Sequence, residues 1–246
     1  MGYFQFKQFK VKNVASAMRL GTDSVLLGAW APLYPGDTRV LDIGTGTGVV
    51  ALMIAQRLCP HGNISIDAID IDLPSVEEAA HNFAISPWSG ALRAIHIPLQ
   101  EFLPEEKYDL IVSNPPYFVD SLKAPSKRRS QTRHTDTLPH GDLIASAFSL
   151  LRAGGRMVVI LPREEGEAFI RNAELFGVGT DETRRLFLRK TCKVRTSLHK
   201  EPKRYLMEFL LVEKGCFAER CEDEYISLNG DDRYTEMVRE FLLNIQ

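Results

Sequence analysis

The sequence predicts an α/β fold: a mostly parallel, seven-stranded sheet with helices on both faces and an antiparallel strand pair at its C-terminal end. Three observations predict it. Short β-rich runs alternate with longer amphipathic runs, a glycine-rich turn joins the first such pair, and two long strand-like runs near the C-terminus have no clear helix between them. Parallel strands need crossover connections, and helices supply them, so both sheet faces become covered.

In chain order, "TRVLDI" reads as the first strand and "GVVALMIAQRL" as the helix after it, with apolar residues at helical spacing. "ISIDAIDI" is the second strand, followed by the helical "PSVEEAAHNFAIS", which opens with Pro74 near its first turn. "RAIHIPL" and "YDLIVS" are further strands; "LIASAFSLL" is a helix stopped by "RAGG", and "RMVVILP" is the strand beyond it. "RRLFLRKTCKV" and "KRYLMEFLLVEK" form the antiparallel pair. In the tail, Met237, Val238, Phe241, Leu242 and Ile245 suit a final packed helix. A chain of 246 residues supports one domain, 1–246, with a full core.

The N-terminal stretch has no apolar run long enough for a signal segment or membrane span, so a cytoplasmic protein is expected. Gly2 invites a myristoylation reading, but Phe6 stands where serine or threonine is needed. Cys59, Cys192, Cys216 and Cys221 are scattered, and the one close pair lacks a second pair at zinc spacing, so reduced thiols and no metal are expected.

Net charge is −2, which taken alone argues against a nucleic-acid partner, but its distribution argues otherwise. "KAPSKRRSQTRH" carries Lys123, Lys127, Arg128, Arg129 and Arg133 with no acid. "RRLFLRKTCKVRTSLHKEPKR" carries nine basic residues against Glu201 alone. With acids gathered in "EFLPEEKYD" and "ERCEDEY", a basic face and an acidic face are expected.

The first strand ends in "LDIGTGTGVV", which places Gly44, Gly46 and Gly48 between strand and helix, where the backbone can approach a ligand and unpaired helix N–H groups are available. Asp70 ends the second strand, at the distance where an acid accepts a ribose hydroxyl; Asp72 competes with it. The spacing is not that of a dinucleotide loop, and Asp42 just ahead would repel a pyrophosphate. An acid there suits a ligand with a positive amino group and no phosphate, and S-adenosylmethionine is such a ligand.

"YDLIVS" runs into "NPPY". Proline cannot donate to a ladder and pushes the preceding residue out of helical conformation, so Asn114, Pro115 and Pro116 form a stiff extended turn that fixes the Asn114 amide and the Tyr117 ring. The order of "LDIGTGTG", Asp70 and "NPPY" resembles the Rossmann-like class I S-adenosylmethionine methyltransferases that modify planar amino groups. The resemblance implies that the turn recognises an exocyclic amine. Such an amine has a delocalised lone pair, and two acceptors, the Asn114 side-chain carbonyl and the Pro115 carbonyl, favour the pyramidal geometry that aims it at the methyl. Tyr117 would stack on the base, which must first leave its helical stack.

"FQFKQFKV", "MRLGTDSVLLGAW", "LDIGTGTGVVALMIAQR", "HNFAISPW" and "YDLIVSNPPYF" together resemble the bacterial tRNA(Val) adenine-N(6) methyltransferases, which modify adenosine 37 beside the anticodon. The resemblance implies S-adenosylmethionine as cofactor, an anticodon stem-loop as partner, and cofactor contacts from Thr22, Asp23, Asp42, Gly44, Thr45, Gly46, Gly48, Asp70, Ile71 and Asn114. Residues 1–35 would close over the cofactor, 36–165 form the catalytic core, and 166–246 supply the last strands, the last helix and RNA contacts. Lys127, Arg128, Arg129 and Arg133 would grip phosphates around the flipped base, with Arg195, Lys200, Lys203 and Arg204 on the rest of the stem-loop. One departure stands out: Pro98 and Leu99 occupy the place where many relatives carry an acid against the cofactor's adenine, so apolar packing is expected there. No role is expected for Asp67, Glu77 or Glu78. Rival readings are a release-factor glutamine methyltransferase, a DNA adenine methyltransferase and a non-catalytic RNA-binding protein. The first two bring domains for which this chain has little room.

Overall fold

The computed structural model describes residues 2–116, 138–180, 182–216, 219–220 and 223–243. Two short strands, β1 (Tyr3–Gln5) and β2 (Lys10–Lys12), form an antiparallel hairpin. The main sheet contains β3 (Arg39–Ile43), β4 (Ser65–Asp70), β5 (Leu92–His96), β6 (Tyr108–Ser113), β7 (Leu151–Pro162), β8 (Arg184–Ser197), β9 (Arg204–Glu213) and β10 (Glu224–Asn229). Their order across the sheet is β10-β8-β9-β7-β6-β3-β4-β5. From β7 to β5 all pairings are parallel, and β9 runs antiparallel to both β7 and β8.

The helices are α1 (Thr22–Trp30), α2 (Val49–Leu58), α3 (Leu73–Ala84), α4 (His140–Leu150), α5 (Arg163–Leu175) and α6 (Asp232–Val238). Alternate residues of each central strand point to opposite faces, as in Val40 and Leu41 or Ala68 and Ile69, and both faces are apolar because both are covered. Residues of α1, α2, α3 and α6 share one core with one face of the sheet; α4 and α5 share the other. Every residue of β6 is buried. No helix among the described residues is long and apolar enough to cross a membrane.

The parallel core and the antiparallel pair are as expected, but the sheet has eight strands rather than seven. β10 joins β8 in parallel at the edge. The sequence also hid α5. Its buried face is only Phe169, Ala173 and Gly166, and a glycine inside a helix weakens the pattern. That glycine has a packing reason: a Cβ there would lie 3.3 Å from the Tyr205 side chain on β9. The last helix is shorter than the apolar pattern suggests. It stops at Val238, after which Phe241 is buried and Leu242 bridges to Phe6; Ile245 lies outside the described residues.

A buried ionic cluster holds the edge of the sheet opposite the strand carboxyl ends. Arg156 on β7 donates to Asp37 and to the Pro32 carbonyl, stacks over the Tyr34 ring, and lies 3.7 Å from Glu208 on β9. Burial pushes the Glu208 carboxyl up, and the Arg189 and Arg156 cations oppose that. Removing one partner from such a group strands the others. Arg156→Leu is expected to lower unfolding free energy by roughly 3–5 kcal/mol, read as a lower urea midpoint at unchanged slope.

Candidate active site

Parallel pairing brings three strand ends level. Ile43 of β3 pairs with Ile69 of β4 on one side and with Ser113 of β6 on the other. Gly44, Asp70 and Asn114 therefore leave the sheet side by side, which places the glycine loop and the Asn-Pro-Pro turn on one edge as the sequence predicted. Ser113 locks the two together: it is fully buried, and its Oγ donates to the Ile43 carbonyl at 2.8 Å.

The loop is shaped by carboxylates as well as by glycines. Gly44, Gly46 and Gly48 all have positive φ. At Gly48 a Cβ would come 2.5 Å from the Phe83 ring, so this glycine lets α2 start against α3. At Gly44 nothing lies within 4 Å of where a Cβ would sit, and the open backbone lines a cavity. Asp70 accepts the Gly46 amide on one oxygen and the Asp72 amide on the other, both at 2.9 Å. Burial pushes its carboxyl up, against the pull of those two amides. Asp72 caps α3 by accepting from the Ser75 amide at 3.0 Å and the Ser75 hydroxyl at 2.6 Å.

Asp42 and Thr45 sit beneath the loop rather than on the cavity wall. Asp42 is 1% exposed and accepts from Thr45 Oγ1 at 2.7 Å, while Gly44 and Thr45 donate their amides to the Ile69 carbonyl. Burial pushes the Asp42 carboxyl up to about 7; the Thr45 hydroxyl opposes this and the Asp70 charge adds to it.

The cavity, of about 640 Å³, opens between these strand ends. Ile71, Ile97, Pro98 and Leu99 give it an apolar panel, Asp70 and Asp72 a pair of neighbouring acids, Asp142 a third acid, and Gly44 and Pro116 the floor near the turn. These groups fit S-adenosylmethionine: the panel suits an adenine, the acids suit ribose hydroxyls, and the bare Gly44 backbone admits a close-lying chain. Pro98 and Leu99, where the sequence departs from many relatives, belong to that panel.

Several residues expected at the cofactor do not line this cavity. Thr22 and Asp23 are in the first turn of α1, which Gly21 caps, and neither is among the described residues lining the cavity. Asp23 instead accepts from Arg204 at 2.8 Å, so a residue expected at the cofactor meets one expected at the RNA. The N-terminal segment reaches the cavity through Ala17 and Met18. Asn114 is half-buried and Pro115 buried at the turn. Tyr117, Lys127, Arg128, Arg129 and Arg133 lie outside the described residues.

The second basic run divides in two. Along β8, Arg184, Arg189, Lys190 and Lys193 are ion-paired with Glu182, Glu208, Glu224 and Asp223. At the other end Val194 pairs with Arg204 and Arg204 with Pro162, so the β8–β9 turn emerges on the edge that carries Asn114. Lys200 and Lys203 are exposed in that turn, while Arg195 donates to Ser227 Oγ and the Leu198 carbonyl.

Two acids without an expected role have structural ones. Asp67 accepts from Tyr108 Oη at 2.6 Å and pairs with Arg93. Glu78 accepts three successive backbone amides from Val14, Ala15 and Ser16. Both look like ordinary surface acids in sequence, because their partners lie 26 to 64 residues away.

The folded protein holds a proton on Asp42 between about pH 4 and 7 that the unfolded chain has released, so this group makes stability fall as pH rises through that window. Asp42→Asn removes the dependence. In ligand-free protein, the melting temperature of the variant minus that of the original chain should grow from pH 4 to 7 and level off above; a constant difference would contradict the assignment.

The methyltransferase small domain family matches residues 10–178. The chain is 38% identical over 244 residues to the tRNA1(Val) (adenine(37)-N6)-methyltransferase of Bacteroides thetaiotaomicron, covering 99% of this chain and 98% of that one. It is 40% identical over 243 residues to the protein of the same name from Phocaeicola vulgatus, with the same coverage. Among solved structures, a predicted O-methyltransferase from Agrobacterium tumefaciens superposes with a TM-score of 0.61 at 14% identity, over 91% of this chain and all of that one. The Pyrococcus horikoshii TYW2 protein in complex with MeSAdo gives 0.58 at 16% identity, over 85% and 70%. At such identities the structures speak for the fold, and the near-full-length relatives speak for the family. The chain belongs to the methyltransferase small domain family and, within it, to the S-adenosylmethionine-dependent tRNA1(Val) (adenine(37)-N6)-methyltransferases.

Proposed function

We propose that this chain methylates the exocyclic nitrogen of an adenosine in tRNA, with adenosine 37 of tRNA1(Val) as its substrate and the anticodon stem-loop as the part it grips. The observation that carries the reading is the level pairing of Ile43 with Ser113, which sets Asn114 beside the glycine loop. Bound S-adenosylmethionine supplies an electrophilic methyl group. Asp70, with Asp72 beside it, holds the ribose hydroxyls, since a carboxylate oxygen that already takes one amide keeps a second lone pair. Ile71, Pro98 and Leu99, which line the cavity, would pack against the adenine.

The Asn114 side-chain carbonyl and the Pro115 carbonyl accept the two N–H bonds of the target amine. The rigid Pro-Pro backbone holds those acceptors in place before the reaction, so no reorganisation is needed when charge develops on nitrogen. Tyr117 stacks on the flipped base. Lys127, Arg128, Arg129 and Arg133, with Lys200 and Lys203 from the β8–β9 turn, bind phosphates, and Arg195 and Arg204 support that turn. The chain acts as one domain: residues 1–35 close the cofactor site, 36–165 form the core, and 166–246 supply RNA contacts. It works in the cytoplasm, where its RNA is found.

Incubation with labelled cofactor and separate pools of tRNA, ribosomal RNA, DNA and release factor, followed by nucleoside analysis, tests the reading; N(6)-methyladenosine in tRNA is the expected product, and label in any other pool alone refutes it. Asn114→Ala should lower kcat by roughly 10²–10³-fold, with cofactor affinity changed only a few-fold. Lys200→Glu with Lys203→Glu should raise KM for tRNA and flatten its salt dependence by about two phosphate contacts, leaving cofactor affinity intact.

A further inference from the structure

The segment 13–18, between β2 and α1, belongs to no helix or strand, so its amides need partners from elsewhere. The Asn13 amide donates to the Gly2 carbonyl, and a single face of α3 provides partners for the amides of residues 14–17. Asn82 accepts the Lys12 amide at 2.7 Å and donates to the Lys12 and Thr47 carbonyls. Glu78 accepts Val14 and Ala15 on Oε1 at 2.8 and 2.9 Å, and Ser16 on Oε2 at 2.9 Å. Ser75 Oγ accepts the Ala17 amide at 3.2 Å and lies 3.0 Å from Ser16 Oγ, which in turn donates to the Met18 carbonyl at 2.8 Å. Positions 75, 78 and 82 share one side of a helix, so together they run a polar rail along the strap.

The rail ends at the cofactor cavity. Ala17 and Met18, the next residues of the strap, form part of its wall. The Met18 carbonyl sits where a Cβ on Gly46 would meet it at 3.3 Å, so strap and glycine loop are in close contact. Glu78 itself is 2% exposed and is not among the residues of the wall. Burial pushes its carboxyl up, but the three amide donors outweigh this and hold it below the ordinary range.

We infer that Glu78 is a positioning residue for cofactor binding: by fixing the amides of Val14, Ala15 and Ser16 it holds Ala17 and Met18 against the cavity and the glycine loop. The inference rests on the reading of this cavity as the S-adenosylmethionine site. The carboxylate is specific to the task, because all three donors point at it. An amide of the same shape offers one acceptor oxygen and turns an N–H₂ group toward the second position. With Val14 and Ala15 kept on the oxygen, Glu78→Gln releases Ser16, whose hydroxyl steadies Met18.

The test measures S-adenosylmethionine binding by calorimetry and backbone amide exchange over residues 14–18, for the original chain, Glu78→Gln, Glu78→Asp and Ser16→Ala. Failure of the original chain to bind would remove the cofactor reading itself. Given that it binds, Glu78→Gln should weaken affinity by about tenfold or more and speed exchange in the strap, with kcat at saturating cofactor within about twofold. Glu78→Asp, which keeps the charge, should recover part of the loss. Ser16→Ala, which leaves the carboxylate and its three amides in place, should weaken affinity by a smaller factor, and it serves if the Glu78 variants do not fold. A lowered melting temperature with unchanged affinity, or weakened binding with no change in strap exchange, would overturn the inference.

Discussion

Three parallel strands that stop level with one another are the constraint on which the rest of this molecule depends. Ile43 is flanked by Ile69 and Ser113, so the residues that follow each of them emerge on one line. Each of these strands is apolar on both faces and buried between helix layers, and a slip of one residue would exchange the two faces and break both cores at once. The register is therefore held by the whole core, and the site inherits its precision. The Ser113 hydroxyl on the Ile43 carbonyl then ties the turn to the loop directly.

The second theme is the use of acids to hold irregular backbone. Segments that leave the sheet have no ladder to satisfy their amides, and a carboxylate accepts several at once. Asp109 takes the Thr38 and Arg39 amides where the chain enters β3, Asp70 takes Gly46 and Asp72 where it leaves, and Glu78 takes three from the N-terminal strap. Each of these acids lies in or beside a packed element. The loops around the cavity are thus positioned by side chains whose own places are set by the core.

Charge follows the same geometry. The run 184–204 is uniform in sequence, yet Arg184, Arg189, Lys190 and Lys193 pair with acids from β9, β10 and neighbouring turns, while its last part turns at the ligand edge and leaves Lys200 and Lys203 exposed. A basic run is a one-dimensional fact; which of its members face solvent depends on which strands lie beside it. Arg204 shows the point most clearly, since its ion pair with Asp23 joins the start of β9 to the start of α1 across 181 residues.

Local pattern alone determined the strands and helices from β3 to β7, the glycine loop, the stiff turn at Asn114 and their common edge, because alternation, helical spacing and proline geometry act over a few residues. Resemblance over the same motifs carried the family. Tertiary structure decided what depends on distant partners: the eighth strand at the edge, the helix that Gly166 disguises, the place of Asp42 beneath the loop rather than on the wall, and the service of Glu78 to a strap more than 60 residues away. An acid on a helix reads the same in sequence whether water or three buried amides face it. Only packing, which brings remote segments within hydrogen-bonding range, distinguishes the two.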